Sequence, residues 1–319
     1  MNKIEYLILS SSIDFSSDLI CLELEKRGLQ YLRVNRDYFT EYKVVYDLNK
    51  ESLTIKIKEN LYYICNDSLK AILFRAPVFI RAYGKNYDLD KQLVLSQWNA
   101  FIRNLVVFDK AKWINHPVST YQAENKLLQL KYAKENGILI PETYVANNLP
   151  EKFTKDYYIV KALDTPLFYD SDDELFTYTM ILSQREVKKA SLSLAPVFIQ
   201  ECISPKIDLR VTAVGDKLFS TQILQDGLGI EGDWRKTKKE NLQYLPFNLP
   251  TGIEQKLRIL MKKLNLQFGG IDLILSQGKF YFIEINPTGE WSWLIKPTGY
   301  KIDAEIVNCM ENNCNENSR

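Results

Sequence analysis

Residues 269–287 read Gly-Gly-Ile-Asp-Leu-Ile-Leu-Ser-Gln-Gly-Lys-Phe-Tyr-Phe-Ile-Glu-Ile-Asn-Pro, two apolar strands around a turn with acidic and amide side chains at set intervals. Side chains alternate along a strand, so Glu284 and Asn286 leave one face while Ile283 and Ile285 leave the other. Residues directly opposite in an antiparallel pair share a face. A three-residue loop, Gln277-Gly278-Lys279, pairs Ser276 with Phe280 and therefore Asp272 with Glu284. A two-residue loop instead sets Asp272 opposite Ile283 and scatters the set. In the first register Asp272, Glu284 and Asn286 form one surface of oxygen donors, the hard ligands that Mg²⁺ takes beside water and phosphate. The plain alternative is two ordinary strands with a polar outer face.

Cations fit beside such a surface. Lys161 stands in Tyr-Tyr-Ile-Val-Lys-Ala-Leu, where a lone ammonium in an apolar strand needs an anion or a route to water. Lys126 lies on a predicted helix beginning near Tyr121. Either alone reads as a surface lysine; as a pair flanking a metal they bind phosphate as compact point charges. Arg210 follows Asp208 by two residues and shares its face, while Arg235 sits in Gly-Asp-Trp-Arg-Lys. Arginine suits charge developing on a transferred phosphoryl group. The bland reading of Asp208 and Arg210 is a surface ion pair worth under ~1 kcal/mol.

The elements that must hold these residues begin as β-α-β. Residues 4–9 predict a buried strand, Ser16-Ser17-Asp18 opens a helix that runs to Lys26-Arg27 and stops at Gly28, and residues 29–34 predict the next strand. That order builds a parallel sheet. Leu53, Ile55 and Ile57 alternate with Thr54, Lys56 and Lys58 in a half-exposed strand, and residues 70–75 form another, closed by Ala76-Pro77. Val94, Trp98, Phe101 and Leu105 mark a buried helix face. The pattern changes near His116-Pro117. Ala123, Leu127 and Leu130 then stripe a helix over 121–136, ended by Gly137. Strands follow over 157–163, 197–203, 209–214 and 218–223, with Gly215-Asp216 a turn between the last two. Asp170-Ser171-Asp172-Asp173-Glu174 reads as a solvated turn, and Ile253, Leu257, Leu260 and Leu264 as an amphipathic helix. The Asn-rich tail is predicted to fray, and no internal repeat is present.

Composition removes several function classes. The 319 residues carry 41 Lys+Arg against 40 Asp+Glu, a net charge of +1, whereas gripping nucleic acid leaves a basic surplus. Apolar residues make up 46% and charged residues 25%, as in an ordinary soluble chain. His116 is the single histidine, which excludes a multi-histidine metal site and makes a Ser-His-Asp hydrolase improbable; it reads as a capping or packing residue. Cys21, Cys65, Cys202, Cys309 and Cys314 form no CxxC and suit reduced thiols in cytoplasm. Glu5 and Tyr6 stand where a signal peptide needs an apolar run, and no stretch approaches the ~18 apolar residues of a membrane span. There is no GxxxxGK[ST] loop, no GxGxxG after the first strand and no GxSxG elbow.

The order of motifs resembles an ATP-grasp ligase over nearly the whole chain. It runs Asn125-Lys126, Gly137-Ile138-Leu139-Ile140-Pro141, Ile159-Val160-Lys161, Phe198-Ile199-Gln200-Glu201-Cys202-Ile203, Asp208-Leu209-Arg210-Val211, Asp272 and Glu284-Ile285-Asn286-Pro287. Within that superfamily the chain is most similar to the microviridin-type peptide maturases, the graspetide synthetases. The features are Ser11-Ser12-Ile13-Asp14, Val34-Asn35-Arg36-Asp37, Phe74-Arg75-Ala76-Pro77, Asn115-His116-Pro117, Asp233-Trp234-Arg235 and Asn286-Pro287-Thr288-Gly289-Glu290-Trp291. Two departures stand out. The stretch after Lys161 reads Ala162-Leu163-Asp164-Thr165-Pro166 and lacks the glycine-rich flap, and Arg75-Ala76 stands where relatives often show two arginines.

The resemblance implies an α/β chain of α+β lobes: an N-terminal pre-ATP-grasp α/β domain (1–118), a central lobe (119–196), a C-terminal lobe with the metal ligands (197–310) and a frayed tail (311–319). It implies ATP and Mg²⁺ as cofactors. Lys126 and Lys161 would hold the phosphates, and Gln200, Glu201, Cys202 and Ile203 would line adenine with backbone groups. Asp208 would contact the ribose, Asp272, Glu284 and Asn286 would hold Mg²⁺, and Arg210 and Arg235 would face the γ-phosphate and the substrate carboxylate. The implied activity joins Glu or Asp side chains of a ribosomally made precursor peptide, with leader and core, to Ser/Thr hydroxyls or Lys amines. The products are macrocyclic esters or amides. Neither nucleic acid nor membrane is an expected partner, and a homodimer is open. Two alternatives stay in view: another ATP-grasp carboxylate–amine ligase, adding amino acids to a protein or joining small molecules, and a non-catalytic nucleotide-binding module.

Overall fold

The computed structural model describes residues 2–75, 88–149, 153–163, 167–170, 173–176, 179–190 and 192–312. The first part of the chain builds two sheets from β1 (Asn2–Lys3), β2 (Tyr6–Ser10), α1 (Phe15–Lys26), β3 (Tyr31–Asn35), β4 (Lys43–Asp47), β5 (Ser52–Ile57), β6 (Asn60–Cys65), β7 (Ala71–Phe74), α2 (Leu89–Asn104) and β8 (Lys112–Ile114). The predicted β-α-β start becomes a parallel sheet of order β3-β2-β7-β8. Every residue of Tyr-Leu-Ile-Leu-Ser in β2 is buried, the continuous apolar run of a strand covered on both faces. Helix α1 opens one residue after Asp14, whose carboxylate accepts the Ser17 N–H, rather than at Ser16; it closes where Gly28 takes φ +68°. A second sheet, β1-β6-β5-β4, lies beside it. In α2 the expected face holds except at its start: Leu105, just beyond the helix end, is buried and Trp98 and Phe101 pack half-buried on the same core, joined by the buried Ile102, whereas Val94 is exposed. Ala76-Pro77 lies outside the described residues.

The expected helix over 121–136 is two helices, α3 (Pro117–Ala123) and α4 (Lys126–Glu135), broken at Glu124-Asn125. The break turns the stripe: Ala123, Gln129, Leu130 and Ala133 are buried, but Leu127 is exposed. It also moves Lys126 from mid-helix to the first residue of α4. His116 caps α3, its Nδ1 accepting the Val118 N–H at 3.3 Å.

The next sheet has the order β13-β10-β14-β9, from β9 (Thr143–Ala146), β10 (Tyr157–Lys161), β13 (Met180–Ser183) and β14 (Val197–Glu201). Between them lie the hairpin β11 (Leu167–Asp170) and β12 (Asp173–Phe176), followed by α5 (Gln184–Lys189). The acidic cluster is thus the end of this hairpin, with Asp170 paired to Asp173, while residues 171–172 lie outside the described ones. So does the glycine-free stretch Asp164-Thr165-Pro166.

The last part is a five-stranded antiparallel sheet, β17-β16-β15-β18-β19, built from β15 (Ile207–Val214), β16 (Lys217–Gln225), β17 (Leu242–Pro246), β18 (Phe268–Ser276) and β19 (Lys279–Asn286). Helix α6 (Thr251–Lys263) buries Leu257, Leu260 and Met261 on its apolar face, with Leu264 buried just past its end. Helices α7 (Ser292–Thr298) and α8 (Ile302–Glu311) close the described chain, α8 packing on α1. The predicted tail beyond residue 312 lies outside the described residues. One hydrophobic cluster joins both ends of the chain: Tyr6, Ile8, Ile20, Leu24, Ala71, Leu73 and Ile114 pack with Val214, Phe268, Trp291, Leu294, Ile302 and Ile306.

Candidate active site

The hairpin β18–β19 decides where the carboxylates stand. Its turn holds two residues, Gln277 and Gly278, at φ 48° and 74°, and Ser276 pairs with Lys279. Positive φ at both positions matches the twist of two-residue hairpins. The expected three-residue loop is therefore corrected. Strict alternation from the shorter loop would oppose Asp272 to Ile283, but Leu273 faces Phe282 and Asp272 faces Glu284, with a β-bulge taking up Ile283. A bulge sets two residues of one strand against one of its partner, so the shorter loop and the Asp272–Glu284 pairing coexist. Beyond it, Gly270 faces Asn286.

Four cations converge on this pair. Lys126 Nζ lies 3.7 Å and Lys161 Nζ 3.8 Å from Glu284 Oε2, and an Arg235 nitrogen lies 3.7 Å from Oε1. Asp272 receives Arg210 at 2.9 Å and Arg235 at 3.4 Å. Lys161 ends β10 with its ammonium 4.9 Å from the centre of the Phe198 ring on the paired strand β14. Arg235 rides on a short 3₁₀ turn capped by Asp233, whose carboxylate accepts the Arg235 N–H at 3.1 Å. Its guanidinium lies 5.5 Å from the Trp234 ring. With Asp233, 3.6 Å from Arg235, three carboxylates stand among the four cations and one positive charge is left over, the sign of field that a polyphosphate needs. Burial pulls the Glu284 carboxyl upward, but Lys161, Lys126 and Arg235 overcome it and hold it below the usual carboxylate range. Burial outweighs Glu284 at Lys161 and lowers its ammonium from the ordinary lysine value.

Arg210 is the most enclosed of the four. One Nη donates to Asp272 Oδ1 at 2.9 Å and the other to the Glu290 carbonyl at 3.2 Å, while its buried Nε–H has no partner within the described chain. Its guanidinium fills the space where side chains at Gly270 and Gly289 would begin: a Cβ would stand 2.4 Å and 2.5 Å from an Arg210 nitrogen. The surface pair with Asp208, the bland alternative for this spacing, does not form among the described residues. Asp208 pairs with Lys206 instead, and burial, only partly offset by Lys206, raises its carboxyl.

A cavity of about 280 Å³ runs from these charges to segment 200–203, lined by Lys126, Lys161, Asp208, Asp272, Glu284 and Arg235 and by Ile159, Ile181, Leu209 and Ile223. Gln200, Glu201, Cys202 and Ile203 all border it. The Glu201 side chain turns away to Lys155 at 2.8 Å. The N–H groups of Glu201 and Cys202 are spent on the Glu142 and Tyr157 carbonyls, which leaves the Ile203 N–H without a partner among the described residues. Arg210 and Asn286 do not border the cavity directly. Asn286 is exposed at the end of β19, and its Oδ1 accepts the Thr288 N–H at 3.0 Å and hydroxyl at 3.2 Å.

The donor set suits Mg²⁺ through two carboxylates. Glu284 accepts no hydrogen bond among the described residues, so its lone pairs are available, and Asp272 keeps a further lone pair on Oδ2, which accepts Arg235 at 3.4 Å, beside the oxygen held by Arg210. Asn286 stands further along β19, opposite Gly270, with its Oδ1 held by Thr288. Among the described residues no three acidic, histidine or cysteine side chains form a metal cage, in keeping with an ion held by one or two carboxylates plus phosphate.

Sequence reasoning passed over Lys206 and Gln129. Gln129 leaves the clearest mark: one turn after Lys126, a buried amide on a helix. It donates to the Ile285 carbonyl at 2.8 Å and accepts the Ile285 N–H at 2.9 Å, tying α4 to the strand of Glu284.

No family model matches the chain. Macrocyclase MdnC from Microcystis aeruginosa MRC, solved with precursor peptide MdnA, is 25% identical with a TM-score of 0.81, over 96% of this chain and 98% of that one. A RiPP-associated ATP-grasp ligase from Chryseobacterium gregarium, solved with ADP and a leader and core peptide, is 24% identical with a TM-score of 0.83, over 100% and 98%. Among curated proteins, the tetrahydromethanopterin:alpha-L-glutamate ligase of Methanocaldococcus jannaschii is 24% identical over 228 residues, 66% of this chain and 75% of its own length. No described helix is long and apolar enough to cross a membrane. The sheets, the order of the motifs along them and these likenesses give the chain the ATP-grasp fold and the character of a ligase, similar to the peptide-maturing macrocyclases.

Proposed function

We propose that the chain activates Glu or Asp side chains of a ribosomally made precursor peptide with ATP and joins them to Ser/Thr hydroxyls or Lys amines, closing ester or amide rings. The observation that carries this is the meeting of four cations with the Asp272–Glu284 pair at one end of an apolar cavity. It is supported by the likeness to MdnC, which was solved with its precursor peptide. The adenine lies along segment 200–203 with the Ile203 N–H as the available amide donor, and Asp208 takes the ribose side. Lys126 and Lys161 hold the phosphates. Asp272 and Glu284, with Asn286, would hold Mg²⁺, which would supply positive charge to offset the repulsion between two anions.

A carboxylate is a poor electrophile, so the reaction is split in two. A substrate carboxylate oxygen, steered by Arg235 and Arg210, attacks the γ-phosphorus; the bond to the β-phosphate oxygen breaks and ADP leaves. The hydroxyl or amine then attacks the acyl carbon, phosphate departs with the bonding pair, and the nucleophile's proton passes to a base or solvent. Support for giving Arg210 the charge that develops in the first transfer is its buried Nε–H, which has no partner among the described residues. Among the described residues Cys21, Cys65, Cys202 and Cys309 are in no disulfide, which fits a reducing cytoplasm.

The test is intact mass spectrometry of Thr- and Glu-rich candidate peptides with enzyme, Mg²⁺ and ATP. Loss of about 18 Da per bond, abolished in Glu284→Ala, is expected from dehydrative acyl transfer. A second reading, addition of a free amino acid to a carboxylate, is favoured by the curated glutamate ligases. It predicts a mass gain with glutamate in place of the loss.

A further inference from the structure

The stretch just beyond Asn286 ties the site to the amino-terminal sheet. The Pro287 carbonyl accepts Asn115 Nδ2 at 2.9 Å, and the Gly289 carbonyl accepts an Arg75 Nη at 3.3 Å. The Glu290 carboxylate takes the other Arg75 Nη at 2.6 Å through one oxygen and the Ser16 hydroxyl at 2.6 Å through the other. The carbonyl of the same Glu290 accepts Arg210 at 3.2 Å. Arg75 is itself fixed: its Nε donates at 3.1 Å to Asp14, which also accepts the Ser10 and Ser17 hydroxyls at 2.7 Å each. Its guanidinium is committed to three acceptors of its own chain and is 7% exposed, so it is not available as a ligand for a substrate anion.

We propose that Arg75 and Glu290 are positioning residues for Arg210, so that the amino-terminal sheet sets the orientation of an arginine in the ligase site. The inference rests on the reading of Arg210 given above. Its guanidinium is pinned at two corners, Asp272 on one Nη and the Glu290 carbonyl on the other. If the Glu290 peptide drifts, the second Nη loses its acceptor and the planar fork swings onto the remaining Asp272 oxygen. Arginine forms such two-pronged pairs with carboxylates readily. That pairing would take the Oδ2 needed for the metal and turn Nε away from the transferring group. Glycine at 289 belongs to the same arrangement, since a Cβ there would stand 2.5 Å from the Arg210 nitrogen.

The experiment uses the full chain with ¹⁵N-labelled arginine, the Arg210 Nε–H resonance being assigned by its loss in Arg210→Lys. Glu290→Gln and Arg75→Lys are each expected to shift that resonance. They should slow ADP release, with Mg²⁺, ATP and a synthetic peptide carrying Thr and Glu, by about tenfold or more. The Michaelis constant for ATP should stay within about twofold, the pattern of an interaction that acts on the chemical step rather than on binding. An unmoved Arg210 resonance in Glu290→Gln overturns the proposal. So does a shifted resonance with an unchanged rate, and so does an equal loss of ATP affinity and rate, which marks general loosening. The Glu290 side chain is 55% exposed, so that variant serves even where Arg75→Lys, buried against Asp14, fails to fold. Failure of the functional reading looks different: the wild-type chain then releases no ADP with the peptide, while the resonance still answers to Glu290→Gln.

Discussion

Lys161 carries its charge into surroundings that disfavour it. Burial lowers its ammonium below the ordinary lysine value, and Glu284 at 3.8 Å only partly restores it. A lysine is a cation below its pKa, so in the proposed role its hold on phosphate weakens as the pH rises, earlier than for an exposed lysine. Glu284 runs the opposite way: held low by Lys161, Lys126 and Arg235 against its burial, it remains a carboxylate until the pH falls below the usual range. The Michaelis constant for ATP should therefore climb between neutral pH and about pH 10, before free lysine titrates. Lys161→Met should remove that climb and raise the constant by about tenfold throughout, each tenfold being ~1.4 kcal/mol; a climb that persists unchanged would assign it elsewhere. Lys161 was legible in the sequence because an ammonium in an apolar strand is chemically conspicuous. The outward turn of Glu201 to Lys155 was not, since its partner comes from a distant segment.

Among the elements, β19 is the exposed edge of the five-stranded sheet, yet its backbone is not idle. Gln129 meets both polar groups of Ile285, and the Leu139 carbonyl accepts the Phe282 N–H at 2.8 Å, so an amide side chain and a loop do the work of a further strand. Gln129→Leu leaves the Ile285 N–H and C=O unpaired beside a buried apolar group. It should cost about 2–6 kcal/mol, at ~1–3 kcal/mol for each of the two abandoned buried groups. Chemical denaturation measures that, and the ATP Michaelis constant should rise with it, because Lys126 and Glu284 lose their common reference; Gln129→Met within 1 kcal/mol of wild type, on the order of an ordinary packing change, would show that the amide bonds are dispensable. The strands and the α6 face were readable from alternation and helical spacing. The bulge at Ile283 was not: alternation assumes an unbroken ladder, and nothing in Phe-Ile-Glu announces the extra residue. The break between α3 and α4 was hidden for a similar reason, since the apolar stripe continues across it.

At the scale of the whole molecule, Trp291 is the rivet, 1% exposed in a cluster that draws on both ends of the chain. Trp291→Ala should destabilise by about 3–5 kcal/mol, the cost of an unfilled space of that size in a core. Calorimetry should still show one transition, because the cluster unfolds as a unit; two separated transitions in the wild-type chain would contradict a shared core. The early β-α-β unit was legible locally, but its partnership with α7 and α8 spans almost 300 residues of sequence, beyond the reach of periodicity. This joint core has a practical consequence for recombining such ligases. A crossover near residue 118 separates Tyr6, Ile8 and Ile20 from Trp291, Leu294 and Ile306, replacing half of a fitted interior with another protein's side chains. Functional hybrids should instead inherit α7 and α8 together with the amino-terminal sheet, as a split module brought from one parent, and exchange only what lies between.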